Sequence, residues 1–207
     1  MKDTSTLTSH QRSIGILKQI LLSSYKDKLT TYINNKTNKM RITLISDTHT
    51  KHDELSYDPK DLPGGDLLIH AGDLMNSGYS QYEIEDFCKW FDGQHKYDKK
   101  VFIAGNHDRA FENKPDQVKE ILEGFPNLIY LEDQMFGLYS LDTDKSVKIY
   151  GSPWQPEFYN WAFNLPRGGI TLKEKWDEIP KNTDILITHG PPQGHLDISG
   201  PPYNEPN

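Results

Sequence analysis

The sequence predicts an α/β fold in which short strands alternate with helices around a mostly parallel sheet. Apolar runs with the length of strands occur at residues 40–45, 67–71, 101–104 and 185–188. Stretches with helical character lie between the earlier runs, at residues 79–95 and 116–124. Because the strand-length runs are continuously apolar, we expect strands that are buried on both faces, as in a parallel sheet covered by helices.

Residues 1–38 are expected to form a basic amphipathic N-terminal extension. They contain six basic residues against Asp3 and Asp27, a local charge of +4 in a chain whose net charge is −7. Apolar residues recur there at three- and four-residue spacing: Ile14, Leu17, Leu21, Tyr25, Leu29 and Tyr32. This spacing is typical of a helix that packs on a domain surface, and a mitochondrial-type presequence is the alternative.

Residues 39–207 are expected to form the remaining domain. Pro115 lies just ahead of the second helical stretch and Gly124 near its end, which suits a helix start and stop. Residues 190–207 contain five prolines and several glycines, so we interpret this stretch as loop.

Composition excludes several classes of protein. A single cysteine, Cys88, excludes an internal disulfide framework and a zinc module with several cysteines. The net charge of −7 argues against a nucleic-acid polymer as partner. No apolar run reaches the roughly 18 to 20 residues of a membrane span. By elimination we expect a cytoplasmic protein.

Metal-binding side chains follow each of the four predicted strands. The segments are Asp47-Thr48-His49, Gly72-Asp73, Gly105-Asn106-His107-Asp108 and His189-Gly190. Any one of them alone is as typical of a turn or a helix cap. Since ligands bind at the carboxyl ends of strands in open α/β sheets, four such segments in order predict one converging site.

The residue types suit divalent transition metals. Carboxylates and neutral imidazoles bind Mn, Fe or Zn. Asp47 and His49, two apart on an extended segment, are expected to point the same way and hold one ion. Asp73 could bridge two ions about 3.5 to 4 Å apart, the spacing used in two-metal hydrolysis.

The third segment adds a neutral ligand and a proton donor. Asn106 offers a carbonyl oxygen that limits the negative charge in the site. His107 is the natural general acid, and Asp108 is placed to orient or charge it.

These segments resemble the metal-binding blocks of the calcineurin-like metallophosphoesterases. The sequence is especially similar to a small subfamily, the metallophosphoesterase-domain-containing proteins. That similarity covers residues 39–197 and rests on residues 149–154, 161–168 and 188–197. The resemblance implies a central β-sandwich flanked by helices.

The resemblance also implies an activity and its residues. Asp47 and His49 would hold a first divalent ion, Asp73 would bridge, and Asn106 and His189 would hold a second. His107 would protonate the leaving oxygen while a metal-activated hydroxide hydrolyses a phosphomonoester or phosphodiester.

The sequence departs from the family at its C-terminal end. Family members continue to a Gly-His-x-His-like block that supplies one further histidine to each metal. This sequence lacks that block, so we expect a C-terminally incomplete domain without its last strands and with impaired activity. The alternative is a degenerate or truncated member that binds metal or nucleotide with little or no turnover.

Substrate contacts are expected from the subfamily-like blocks. The substrate would be a small phosphate ester, with a nucleotide as one candidate. Trp154, Trp161 and Asn164 could form a platform for a base, and Arg167 could contact phosphate. His195 could line the site. The alternative for these residues is loop packing against the sheet.

Overall fold

The structure is a computed structural model that describes residues 40–53, 62–140, 145–195 and 197. The predicted extension at residues 1–38 and the end of the Pro- and Gly-rich stretch lie outside these residues. The strands are β1 Ile42–Ile45, β2 Gly65–Ala71, β3 Tyr97–Ile103, β4 Leu128–Tyr130, β5 Gln134–Ser140, β6 Lys145–Ser152, β7 Gln155–Pro156, β8 Asn164–Leu165 and β9 Ile185–Thr188. The helices are α1 Gln81–Asp92, α2 Arg109–Asn113, α3 Pro115–Glu123 and α4 Ile170–Asp177.

The first sheet contains four parallel strands in the order β1-β2-β3-β4. Ile45 of β1 lies opposite His70 of β2, and His70 lies opposite Phe102 of β3. The carboxyl ends of these three strands therefore stop at the same edge. This edge carries the segments that begin at Asp47, Gly72 and Gly105.

The second sheet has three strands in the order β5-β6-β9. Strands β5 and β6 pair antiparallel, and β9 pairs parallel with β6, with Thr188 opposite Ser152. The sequence pattern predicts that all four apolar runs form neighbouring strands of one sheet. This expectation is wrong for the fourth run, which forms β9. It belongs to the second sheet, and His189 reaches the site from there.

Two apolar clusters cover the two faces of the first sheet. Between the sheets, Leu67 and Ile69 of β2 share a cluster with Leu138 and Ile149 of the second sheet. On the opposite face, Leu68 packs in a cluster with side chains of α1 and α3. Consecutive residues of β2 therefore point into different cores, which explains its continuous apolar run and confirms the α/β sandwich.

The helices on the first sheet begin and end where the sequence places signals. Ser80 precedes α1, and its hydroxyl accepts a hydrogen bond from the Glu83 backbone N–H at 3.3 Å. Pro115 opens α3 and Gly124 follows it, as predicted. Among the described residues, no helix has both the length and the apolar character that crossing a membrane requires.

Candidate metal centre

The segments after β1 and β2 stay paired beyond the strand ends. The backbone N–H of Asp47 donates to the Gly72 carbonyl at 2.9 Å, and that of His49 donates to the Asp73 carbonyl at 3.0 Å. These bonds hold the first two metal-binding segments side by side. Because both follow parallel strands, their side chains meet at one edge of the sheet, as predicted.

The backbone of these segments is not extended. Asp47, His49 and Asp73 have φ values of 56°, 44° and 58°, in the left-handed region that most residues avoid. The expectation that Asp47 and His49 point the same way from an extended segment is therefore wrong. Left-handed residues turn the chain sharply, so the alternation that aligns residues two apart in a strand does not apply here.

Two glycines allow the segments to approach closely. A Cβ on Gly105 would lie 2.3 Å from Oδ1 of Asp73 and 2.8 Å from Cε1 of His189. Gly72 has a φ of 99°, and a Cβ there would lie 2.8 Å from Nδ1 of His189. Glycine is needed at both positions, because a side chain on Gly105 would displace Asp73 and His189, and one on Gly72 would displace Gly105 and His189.

Three histidines are oriented by backbone carbonyls. The Nδ1 contacts are His49 with Met75 O at 3.0 Å, His107 with Asn76 O at 2.5 Å, and His189 with Ala71 O at 2.9 Å. A carbonyl only accepts, so each Nδ1 carries the proton that it donates. The opposite nitrogen, Nε2, then faces the centre in all three rings, and whenever a ring is neutral this nitrogen carries the lone pair that a metal ligand needs.

Asp73 lies at the point on which these rings converge. Its carboxylate is 3.6 Å from Nε2 of His49, 3.9 Å from that of His107 and 3.4 Å from that of His189. The Asp73 side chain is buried, and one of its oxygens accepts the His107 backbone N–H at 2.8 Å. Asp73 is thus the shared member of the cluster.

Two three-residue groups in the cluster could each hold a metal ion. One contains His49, Asp73 and His107, and the other contains Asp47, Asp73 and His189. Carboxylate and imidazole donors with Nε2 directed inward fit divalent transition metals. Asp73 belongs to both groups, whereas Asp47 and His49, expected to hold one ion together, fall in separate groups.

Asn106 lies beside the second group. Its side-chain oxygen is 2.9 Å from Nε2 of His189, so the amide oxygen faces the same space as the imidazole. Its backbone carbonyl accepts the Ala162 N–H at 3.0 Å, which links it to the loop after β7.

Without metal, His189 and Asp73 form a charged pair. Burial disfavours a charged imidazole, but the hydrogen bond and charge of Asp73 raise the pKa of His189 to about 9. Burial likewise opposes ionisation of Asp73, yet His189 lowers the pKa of this carboxyl below its usual value. The metal-free centre therefore carries a proton on His189 at neutral pH.

Asp108 has other partners than those expected. Its buried carboxylate accepts hydrogen bonds from four backbone N–H groups: Asp73 at 2.9 Å, Leu74 at 3.3 Å, Met75 at 2.8 Å and Gly105 at 2.7 Å. Burial raises the pKa of Asp108 to about 7. Instead of orienting the ring of His107, Asp108 fixes the segment that carries Asp73 and the histidine-binding carbonyls.

His70, a buried residue of β2, contacts the segments that carry Asp47 and Asp73. Its Nδ1 accepts the Gly72 N–H at 3.3 Å, and its Nε2 lies 3.0 Å from the Thr48 hydroxyl. Burial lowers the pKa of His70 to about 3, so the ring is neutral. His70 also packs against Phe87 of α1, with ring centroids 4.9 Å apart.

The substrate candidates divide into packed and exposed residues. Nε1 of Trp154 donates to Asp133 at 2.8 Å, and its ring packs against Phe163. The Asn164 amide donates to the Tyr159 carbonyl at 2.9 Å. These contacts favour loop packing for Trp154 and Asn164, whereas Arg167 and His195 are exposed.

Trp161 lies next to the centre. Its ring stacks on that of His107, with centroids 4.1 Å apart. The sequence pattern placed Trp161 only among the platform residues. The carbonyls of Ala71, Met75 and Asn76 had no signal in the sequence at all, because any residue supplies a carbonyl.

The fold packs its two larger β-sheets together, and the strand ends gather carboxylates, an amide and inward-facing imidazoles. This arrangement is typical of metal-dependent hydrolases. A sequence model described as calcineurin-like phosphoesterase matches residues 40–206. The chain belongs to the calcineurin-like phosphoesterase family, whose members generally hydrolyse phosphoesters with divalent metals.

Sequence matches to individual curated proteins support the same family. Human metallophosphoesterase domain-containing protein 1 is 42% identical over 171 residues, which is 76% of this chain and 50% of that protein. A Caenorhabditis elegans UPF0046 protein is 35% identical over 192 residues, 79% of this chain and 44% of its own length. The chain thus spans about half the length of these curated relatives.

A solved structure supports the fold. TT1561 of Thermus thermophilus superposes with a TM-score of 0.57 over 76% of this chain and 72% of its own, at 15% identity. The low identity restricts this likeness to the fold.

Proposed function

We propose that this chain is a metal-dependent phosphoesterase that hydrolyses a small phosphodiester or phosphomonoester, with a small nucleotide as one candidate. The observation that carries the proposal is the position of Asp73. Its carboxylate belongs to two three-residue groups that could each hold an ion, and the Nε2 atoms of three histidines face it. A shared carboxylate between two ligand groups is the arrangement of two-metal hydrolysis.

The residues proposed to hold two divalent ions are Asp47, His49, Asp73, Asn106 and His189. Mn, Fe or Zn fits this donor set, which has no thiolate. When bound, such ions lower the pKa of a water molecule and neutralise the charge that develops on phosphate oxygens. Asp73 contributes by holding both ligand groups in one place, and Asn106 adds an oxygen without adding charge.

Although His107 belongs to one of the two groups, it is proposed as the general acid and not as a ligand, which leaves His49 and Asp73 to hold the ion of that group. Nε2 of His107 is the farthest of the three from Asp73, at 3.9 Å, and its side chain is 26% exposed. The ring is therefore accessible to a substrate oxygen. Since Nδ1 donates its proton to Asn76 O, the ring must carry a second proton on Nε2, and this second proton passes to the departing oxygen as the phosphorus–oxygen bond breaks.

Arg167 is proposed to contact a substrate phosphate, because it is exposed and lies three residues after Asn164, the last of the residues expected to form the platform for a base. His195 is a weaker candidate for the same rim. Trp154 and Asn164 are proposed to shape the rim through their packing. Arg167→Ala should raise KM with little change in kcat, whereas an unchanged KM would contradict a phosphate contact.

The test is hydrolysis of bis(p-nitrophenyl) phosphate by the purified chain with Mn²⁺. Asp73→Ala should lower kcat at least about a hundredfold on this substrate. His107→Ala should do so on methyl phenyl phosphate, whose poorer leaving group needs a proton. Asp98→Ala is the matched control, because Asp98 is an exposed carboxylate near the amino end of β3, away from the carboxyl ends that carry the site.

Two results would contradict the proposal. Unchanged activity in both site variants would show that the roles are wrong. One ion or none per chain, with no turnover by the wild-type chain, would favour the degenerate alternative that binds metal or nucleotide only.

A further inference from the structure

The imidazole of His107 contacts two other rings. The ring of Trp161 stacks on it, with centroids 4.1 Å apart and planes inclined by 23°. The ring of His49 meets it edge-on, with centroids 4.6 Å apart at 77°. His107 is thus confined by an aromatic face as well as by its hydrogen bond to Asn76 O.

Trp161 is itself fixed from two directions. The next residue, Ala162, donates its N–H to the backbone carbonyl of Asn106, which immediately precedes His107. Arg109 places its guanidinium carbon 5.2 Å from the Trp161 ring centroid and also donates to the Asn160 carbonyl. The loop around Trp161 and the start of α2 therefore hold the indole against His107.

Anchoring of the loop does not require this stack. Ala162 and Phe163 are both buried and already bind the loop to the core, whereas Trp161 remains partly exposed. An indole that served only to bury the loop would gain more by pointing inward, as Phe163 does. The placement of Trp161 is better explained by its contact with His107.

The hydrogen bond from Nδ1 to Asn76 O orients the imidazole of His107 but leaves it some torsional freedom. Concerted changes of χ1 and χ2 can keep that bond and still move Nε2 away from the centre. A stacked indole restricts this rotation at little cost, because offset aromatic pairs attract each other. Orientation of a catalytic group is worth a large factor in rate when the reacting atoms must be aligned.

We propose that Trp161 is a positioning residue that keeps Nε2 of His107 directed at the leaving oxygen, and that Arg109 acts through Trp161. The inference rests on the proposed role of His107 as general acid. Trp161 neither donates nor accepts a proton in this scheme. It raises the fraction of molecules in which His107 can donate.

The first test observes the ring directly, without turnover. Protons above an aromatic face shift upfield in NMR spectra, so the His107 ring protons of the metal-free chain should be shifted, with assignment by His107→Gln. Trp161→Ala should abolish the shift, and Trp161→Phe should retain part of it. Trp176→Ala, at a 45% exposed position in α4, is the matched control and should change nothing.

The second test varies the leaving group with Mn²⁺ present. Methyl phenyl phosphate needs protonation of its leaving oxygen, whereas methyl p-nitrophenyl phosphate releases a stabilised anion. Trp161→Ala should lower kcat about tenfold or more on the phenyl ester and much less on the nitrophenyl ester. KM and bound Mn²⁺ should not change, and Trp161→Phe should recover most of kcat.

Arg109 provides an internal check. Arg109→Ala should lower kcat on the phenyl ester in the wild-type chain but not in the Trp161→Ala variant, because its effect passes through the indole. Equal losses on both esters, or an additive effect of Arg109→Ala, would contradict the positioning role.

The outcomes separate this inference from the proposed function. Hydrolysis of neither ester by the wild-type chain would contradict the proposed function and, with it, this role of Trp161. Normal hydrolysis together with an unshifted His107 ring would contradict the role of Trp161 alone.

Discussion

The carboxylate of Asp108 accepts a hydrogen bond from the backbone N–H of Asp73 at 2.9 Å. A residue that the sequence places beside the general acid thus fixes the residue on which three imidazoles converge. Three further N–H groups, of Leu74, Met75 and Gly105, share the same buried carboxylate. Asp108 therefore determines the shape of the centre from beneath it.

Asp108→Ala should destabilise the metal-free protein by about 3–5 kcal/mol, because four buried N–H groups lose their acceptor. The affinity for Mn²⁺ should fall as well, since the segment that carries Asp73 is released. Asp108→Asn retains one acceptor oxygen and should lose less stability. Urea unfolding and calorimetric titration measure both effects, with the exposed Asp98→Ala as control. A loss of activity without a loss of stability would instead support direct action on His107.

Gly105→Ala should abolish Mn²⁺ binding, because the added methyl group would lie 2.3 Å from Oδ1 of Asp73. The control is Gly137→Ala in β5, where the methyl group would meet only the Ser146 hydroxyl at 3.9 Å. Metal content after dialysis against Mn²⁺ is the measurement. Wild-type metal content in Gly105→Ala would show that the close approach of the segments is not needed for binding.

Mn²⁺ binding at pH 7.5 should release about one proton per chain from His189. Its pKa of about 9 leaves the ring protonated without metal, whereas a ligand must offer a free nitrogen. Affinity should accordingly weaken as the pH falls. Calorimetry in buffers of different ionisation enthalpy counts the protons. His189→Gln should remove the release, and His195→Gln, at an exposed position, should not. Heats that are independent of the buffer would contradict this prediction.

As the pH falls below 6.5, His70 should withdraw stability from the metal-free protein, while Asp108, whose pKa is raised to about 7, should add stability over the same range. His70 has a pKa of about 3 in the folded chain and 6.5 when unfolded, so protons favour unfolding between these values. The expected loss from this group between pH 6.5 and 5 is about 2 kcal/mol. His70→Gln should remove that loss from the profile, whereas His95→Gln, at an exposed position, should leave the profile unchanged. Identical slopes for wild type and His70→Gln would argue against a buried neutral imidazole.

Local patterns predicted the first sheet and its helices. The apolar runs that became β2 and β3 are buried on both faces, and Pro115 and Gly124 bound α3. The continuous apolar runs did not predict the hairpin of β5 and β6, because its residues alternate between a buried and an exposed face, as Leu138 and Tyr139 do. Without those strands, the partner of β9 could not be assigned to a second sheet.

The sequence also predicted which residues could bind metal, because each of them follows a strand end. It did not predict their geometry, since this depends on backbone conformation and on contacts between distant segments. The left-handed turn at Asp47 and the four N–H bonds of Asp108 arise only when separate loops meet. The stack of Trp161 on His107 joins residues 54 positions apart, so no local spacing reveals it.

The left-handed backbone at Asp47, His49 and Asp73 sets stability against function. Each of these residues occupies a conformation that costs about 1 kcal/mol or more for a side chain and nothing for glycine. Replacement by glycine would relieve this strain and remove a ligand at the same time. A screen that rewards heat resistance alone would therefore favour glycine at these three metal-binding positions. Directed evolution of this chain must select for metal binding as well.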